Sequence, residues 1–288
     1  MLQKMLEKNT LEYAETQFDA GASILDANIF CAEWEMNPAP VPHDLQRSSH
    51  SKAGFLPGRA FHSARLAYRR LSYASGRKIS PFTLYETESV IFIHIPKNAG
   101  TFVNGIVYPG ISSSRSTHIN AHHSVHYLAK LDPIRFGRLP KFAILRHPAQ
   151  RLQSAFNYLK YHSPFQTDRE FASRHLSGFS DFDMFCRNET EQGFEAFLFW
   201  PHFQPQVSFL CDATGRLCVD ALTTLEMISE GLRSLGDCFG KNWALESNTL
   251  APGDHCPEVM RLVEKYYAKD LKLWSAVQNS EQHFCLVR

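Results

Sequence analysis

What the sequence lacks narrows its class first. Seven cysteines (Cys31, Cys186, Cys211, Cys218, Cys238, Cys256 and Cys285) occur without a single C-x-x-C pair, which argues against a zinc site or a thioredoxin-type redox motif. An odd, dispersed set suits reduced thiols better than a disulfide scaffold. Charge of either sign is not in excess: 30 Lys and Arg face 29 Asp and Glu, a formal net charge of +1. No general attraction to nucleic acid or to an anionic membrane follows, so any anion site must be a local cluster of basic groups. There is no internal repeat and no low-complexity tract. Residues 1–19 contain no long apolar run and carry acidic residues early, unlike a secretory signal or a membrane anchor. The expected location is the cytoplasm, with the Golgi lumen reserved for the case that an N-terminal anchor has been removed.

What is present, 288 residues at 44% hydrophobic and 20% charged, is a globular composition with a sizeable core. Met1 to about Phe18 predicts an amphipathic helix through Leu2, Leu6, Leu11, Ala14 and Phe18. Residues 37–58, rich in Pro, His, Ser and Gly, read as a loop. Phe61, Ala64, Tyr68 and Leu71 then recur at helical spacing until Gly76. Residues 1–85 together read as a partly helical N-terminal extension packed on a main domain over 86–288.

That domain opens with Ser89–Ile95, an apolar, β-branched run ended by a proline, as in a buried strand. Pro96–Thr101 form a turn, and a helix is expected through Tyr108. The plan repeats with a strand at Lys141–Leu145, a turn at Arg146–Ala149, and a helix from Gln150 to about Tyr161 carrying Leu152, Phe156 and Leu159 on one face. Val207–Cys211 and Arg216–Asp220 flank Asp-Ala-Thr-Gly and predict a hairpin. Asp254 is placed to cap a long helix with Pro257 in its first turn and a stripe of Val259, Leu262, Val263, Tyr266, Leu273 and Val277. The alternation predicts an α/β fold, a three-layer parallel sheet with helices on both faces, related in plan to P-loop nucleotide kinases.

Two strand ends carry anion-binding chemistry. After the first, a small-residue turn feeding a helix aims backbone N–H groups and the positive end of the helix dipole at one point. Lys97 adds a full charge, Gly100 permits close backbone approach, and Thr101 offers a hydroxyl. A surface turn with a solvated lysine has the same composition. The pattern G-x-x-x-x-G-K followed by Ser or Thr is absent, and with it the hydroxyl that holds magnesium in nucleoside-triphosphate sites. A sulfuryl group carries less charge and transfers without a metal, so the cradle suits sulfate better. After the second strand, Arg146 stands at the carboxyl end, where ligands bind in open α/β sheets. Ser154 follows eight residues on, opposite the apolar stripe of its helix. An arginine fork and a hydroxyl suit a phosphate monoester, although Ser154 alone is equally an ordinary exposed serine.

These segments resemble a known family. Ile93-His-Ile-Pro-Lys-Asn-Ala-Gly-Thr101 is similar to the 5′-phosphosulfate loop of sulfotransferases that use PAPS (3′-phosphoadenosine 5′-phosphosulfate). Phe142-Ala-Ile-Leu-Arg-His-Pro-Ala-Gln-Arg-Leu-Gln-Ser-Ala-Phe-Asn-Tyr-Leu159 resembles their 3′-phosphate segment, most closely in the carbohydrate-type group of heparan and chondroitin sulfotransferases and bacterial relatives. Gln204–Asp212, Val219–Glu226 and Tyr267–Trp274 share that group's texture, so the resemblance spans roughly Val90 to Trp274. It implies that Pro96, Lys97, Asn98, Ala99, Gly100, Thr101 and Phe102 surround the 5′-phosphosulfate, with Lys97 also stabilising the bridging oxygen as the S–O bond breaks. It implies that Arg146 and Ser154 bind the 3′-phosphate, that PAP (adenosine 3′,5′-bisphosphate) is the product, and that no metal takes part. Phe102 departs from the family, where many members carry Ser or Thr.

Attack by an alcohol on sulfur also needs a proton acceptor, and histidine has the suitable pKa. The run His118-Ile-Asn-Ala-His-His-Ser-Val-His-Tyr-Leu128 lies between the two anion segments. Alignment with the family makes His122 the base and His123 the alternative, although any of 14 histidines is more often a surface or core residue. His94 reads as embedded in its strand. Lys160, His162, Arg169 and Arg174 read first as a solvated face and second as a groove for an acidic sugar. The implied partner is a small molecule or glycan bearing a hydroxyl. Two competing readings are a small-molecule kinase, which would require ATP and magnesium, and a PAP- or glycan-binding relative without turnover.

Overall fold

A computed structural model describes residues 23–30, 58–192, 194–243, 245, 256–281 and 284–288. The helix expected over 1–18, the Asp254 cap and the loop expected over 37–58 lie outside these residues, save Gly58, which begins a helix. In chain order the elements are β1 (Ser23–Leu25), α1 (Gly58–Ala74), α2 (Pro81–Glu88), β2 (Ile91–Ile93), α3 (Gly100–Val107), α4 (Ser113–Ile119), α5 (Val125–Leu131) and α6 (Pro133–Arg138). There follow β3 (Lys141–Leu145), α7 (Pro148–Asn157) continued by a π-turn (Tyr158–His162), α8 (Gln166–His175), α9 (Phe182–Gln192), a 3-10 turn (Phe194–Phe197) and α10 (Val207–Leu210). The chain closes with β4 (Ala221–Thr224), α11 (Ile228–Phe239), α12 (Pro257–Tyr266), α13 (Ala268–Gln278) and β5 (Phe284–Val287).

The five strands form one sheet in the order β1-β5-β4-β3-β2. β2, β3 and β4 run parallel, with Phe92 beside Phe142 and Phe142 beside Ala221. Successive residues of β2, and of β3 after Lys141, are all buried. Because alternate side chains point to opposite faces, both faces of this central part are covered. The fold is therefore mixed α/β with a mostly parallel sheet. The expectation of a wholly parallel sheet needs correction, since β5 is antiparallel to β4 and β1 follows β5. An antiparallel edge on a parallel core is a common arrangement, and periodicity along one strand carries no information about its direction.

Ser23–Leu25 thus joins the sheet, and Phe82, Leu84 and Tyr85 lie in the sheet core. In α1 the apolar stripe faces outward at Tyr68 and Leu71, whereas Ser72 is buried.

Two further expectations are corrected. Val207–Leu210 is helical rather than a hairpin arm, because the Asp270 carboxylate accepts from the Gln206 and Val207 N–H groups at 2.7 and 3.0 Å and caps a helical turn. The turn itself is present: Asp212 Oδ1 accepts from Thr214 N–H at 2.8 Å, Gly215 has φ of 85°, and Cys211 bridges to Leu217. The long C-terminal helix is two, broken at Tyr267, which leaves helical geometry at φ −127°. Tyr267 is buried and its hydroxyl donates to the Phe203 carbonyl, a long-range tie that sequence periodicity cannot show. Pro257 does stand in the first turn of α12, with Cys256 at its N-cap. No disulfide joins the described cysteines.

Candidate active site

The turn between β2 and α3 is held in an unusual backbone shape. Lys97 and Ala99 have φ of 70° and 57°, left-handed conformations that side-chain-bearing residues adopt only where surroundings enforce them. Alternation of this kind turns successive N–H groups inward as an anion-binding nest. The enforcement comes from buried and half-buried polar side chains. Arg151 Nε donates to the Pro96 carbonyl at 2.9 Å, and Arg146 Nη1 donates to the Lys97 carbonyl at 3.1 Å. Asn98 Nδ2 donates to the Ile144 carbonyl and to Gln206 Oε1, both at 2.7 Å. Pro96 and the Asn98 side chain are buried and serve as anchors of the loop.

Gly100 permits a close approach within the protein itself. A Cβ there would lie 1.9 Å from the His94 ring, so the close approach is made by a side chain of β2's extension. His94 is buried, directs Nδ1 toward the Asn120 carbonyl at 3.1 Å, and stacks on Phe92. Burial above all brings its pKa down to about 4, leaving it neutral at physiological pH. Thr101 and Phe102 are exposed on the first turn of α3.

The second segment meets the first at one cavity of about 440 Å³, whose lining includes Lys97, Arg146 and Ser154 together with Gln150, Gln153 and Asn157. Lys97 Nζ sits 3.8 Å from the centre of the Tyr158 ring, an arrangement that stabilises its charge. Burial first, and the neighbouring Arg146 second, nevertheless lower the Lys97 pKa to about 8. Gln206 grips both sides of Arg146, accepting from its N–H at 3.0 Å and donating to its carbonyl at 2.9 Å. Arg146 Nε is buried with no protein partner. The π-turn shapes the far wall. At 100° per residue Tyr161 would share the face of Gln150 and Asn157. The wider turn puts His162 on the wall instead, and the Tyr161 hydroxyl reaches the Ser180 carbonyl at 3.0 Å.

The two candidate bases diverge. His122 has φ of 55°, places Nδ1 3.3 Å from the His94 carbonyl, and touches the His94 ring edge-on at 4.7 Å between centroids. A chain of rings leads from it toward the cavity, through His202 at 5.6 Å and from His202 to Tyr158 at 5.0 Å. His123 instead directs Nε2 to the Ile119 carbonyl at 3.2 Å and stacks on Tyr127. Of the basic residues downstream, Lys160 and Arg169 donate to the carbonyls of Leu176 and Pro164.

Four residues of this arrangement escape sequence reasoning. Arg151 had a signal, since it falls on the buried side of α7 next to Leu152, where a charge must be paired. Gln206 and His202 lie in or beside the Gln204–Asp212 stretch of family texture but show no periodicity. Tyr158 reads as one more helical aromatic. Among the described residues, no group of three or more His, Cys, Asp and Glu is placed to hold a metal, and no helix is long and apolar enough to cross a membrane.

No curated protein and no solved structure matches the chain significantly. A family profile described as Sulfotransferase family matches residues 80–275, more than half of the chain, and takes in the loop, Arg146, Ser154 and both histidines. The chain belongs to the sulfotransferase family.

Proposed function

We propose that the protein transfers a sulfuryl group from PAPS to a hydroxyl of a carbohydrate acceptor, by in-line displacement with His122 as general base. The observation that carries this reading is that Lys97, Arg146 and Ser154, from two separate strand–turn–helix units, line one cavity. The residues suit a donor with two anionic ends. The nest and Lys97 ammonium offer one pole, and Arg146 with its unpartnered Nε offers the other. PAPS, when bound, supplies an activated sulfuryl group whose transfer leaves PAP.

The chain's own residues do the rest. Lys97 and the loop N–H groups are preorganised to stabilise negative charge, the largest single term in reactions of this type. Arg146 and Ser154 hold the phosphate end and so fix the donor's direction. In the tautomer that donates Nδ1–H to the His94 carbonyl, Nε2 is the basic nitrogen and receives the acceptor's proton. His123 is the alternative, but its Nε2 is turned to Ile119. The strand–turn–helix plan is that of P-loop nucleotide kinases without their magnesium-holding hydroxyl.

The test is turnover of PAPS with unsulfated glycosaminoglycans. Turnover is expected with PAPS and not with ATP and magnesium. His122→Ala should lower it by roughly 10²- to 10⁴-fold while PAP affinity stays within twofold. Wild-type turnover in His122→Ala would remove it as the base, and transfer from ATP would overturn the sulfuryl reading.

A further inference from the structure

We infer that His202 is a positioning residue that orients the His122 ring, an inference that rests on His122 being the base. His202 stands in the short connection between the 3-10 turn and α10, and it is 5% exposed. Its ring is edge-on to His122, with planes at 74°, and lies at 30° to the Tyr158 ring. Tyr158 in turn carries the Lys97 ammonium. One file of groups, His122, His202, Tyr158 and Lys97, therefore joins the proton acceptor to the anion-binding cation.

The connection that carries His202 is fixed from several sides. Arg151 Nη1 donates to the Gln204 carbonyl at 2.7 Å and Nη2 to the Pro201 carbonyl at 3.5 Å. The Tyr267 hydroxyl holds the Phe203 carbonyl, and Gln204 Nε2 holds the Phe199 carbonyl at 3.2 Å. Arg151 is also the guanidinium that grips Pro96, so the donor loop and the His202 segment are registered by one side chain. His122, by contrast, sits on a left-handed backbone between α4 and α5, where its ring needs external support. His94 packs on one edge and His202 on another. The titratable groups around it include His94 from the end of β2, its chain neighbour His123, and His202 from the connection, with Tyr158 and Lys97 behind His202. A group that lies within about 0.5 Å of its required place because its neighbours lock it is the general condition for an effective base.

His202→Phe keeps a ring of similar size and removes the polar edge, and His202→Asn keeps polarity and removes the ring. The decisive readout is the His122 ring signal in 15N-histidine NMR, followed through pH titration. If His202 positions His122, His202→Phe moves the His122 midpoint by at least about half a pH unit, since half a unit already reflects a changed ring environment. It also lowers PAPS turnover with unsulfated chondroitin by ten- to a hundredfold, with the KM for PAPS within twofold. On a His122→Ala background the same substitution then adds nothing, because both act through one group. If thermal unfolding shows that His202→Phe fails to fold, His202→Asn takes its place in the same measurements. An unmoved midpoint with unchanged turnover overturns the inference and leaves His122 as the base. Losses that multiply in the double variant overturn it as well, by showing that His202 acts on its own. Wild-type turnover in His122→Ala removes the base itself, and the inference falls with it.

Discussion

The two walls of the cavity are built by opposite means. The Pro96–Thr101 wall, which lines the cavity through Lys97, is a backbone turn bent into two left-handed residues and braced by side chains that reach it from far along the chain. The Arg146–Ser154 wall is side chains, one at a strand end and one on the half-exposed face of α7. The first wall inherits its shape from the buried core, so damage to its braces is damage to the fold. The second can lose a group and keep its scaffold. Binding and stability should therefore separate cleanly between the two walls.

Arg151→Met gives the largest effect that this contrast predicts. It strips the donors from three carbonyls and leaves buried Asp270 without its neighbouring cation. Breaking a buried charged arrangement from one side costs about 3–5 kcal/mol, which in a domain of this size lowers Tm by roughly 6–20 °C. A Tm within 2 °C of wild type would break the claim that this residue braces the loop. Gly100→Ala comes next. Its methyl must displace the His94 ring, an overpacking of about 1–3 kcal/mol, read by denaturant unfolding. A loss of PAP binding with no change in stability would show that Gly100 serves the ligand instead of the core.

The third prediction is a pH dependence. Lys97 gives up its proton near pH 8 in the free protein, against an ordinary 10.5. PAP needs the charged form, so its affinity should be level below pH 8 and fall above it, by at most about tenfold per pH unit for one proton taken up. Without ligand the sign is the reverse. Between about 8 and 10.5 the unfolded chain holds more protons than the fold, so stability rises with pH across that window. Calorimetric titration of PAP from pH 7 to 9.5, on wild type and Lys97→Met, checks both slope and source. The smallest effect is Ser154→Ala, which removes one hydrogen bond worth about 0.5–1.5 kcal/mol. PAP should bind roughly 2- to 10-fold more weakly at unchanged Tm, and a falling Tm would blur the contrast between the walls.

Sequence reasoning reaches as far as local pattern does. Lys141–Leu145 and the helix carrying Leu152, Phe156 and Leu159 are legible because each rests on residues a few positions apart, whereas pairing Lys97 with Arg146 and Ser154, 49 and 57 positions on, rests on the family resemblance. What is illegible is tertiary. Gln206 reaches Asn98 across 108 residues and Asp270 reaches Gln206 across 64, and no window of periodicity spans such distances. The same long reach of Asp270 turned an expected hairpin arm into a helix. Direction within the sheet, and the break at Tyr267, were likewise decided by partners elsewhere in the chain.

The central claim is that the cavity between the two walls binds the donor nucleotide. Thermal unfolding with and without PAP, on wild type and Arg146→Ala, tests it most directly. At a hundred times its dissociation constant PAP should add about 2.7 kcal/mol to the native state, a rise in Tm of roughly 5–10 °C that largely disappears in Arg146→Ala. No rise at millimolar PAP in folded wild type, or an equal rise in the variant, would contradict it.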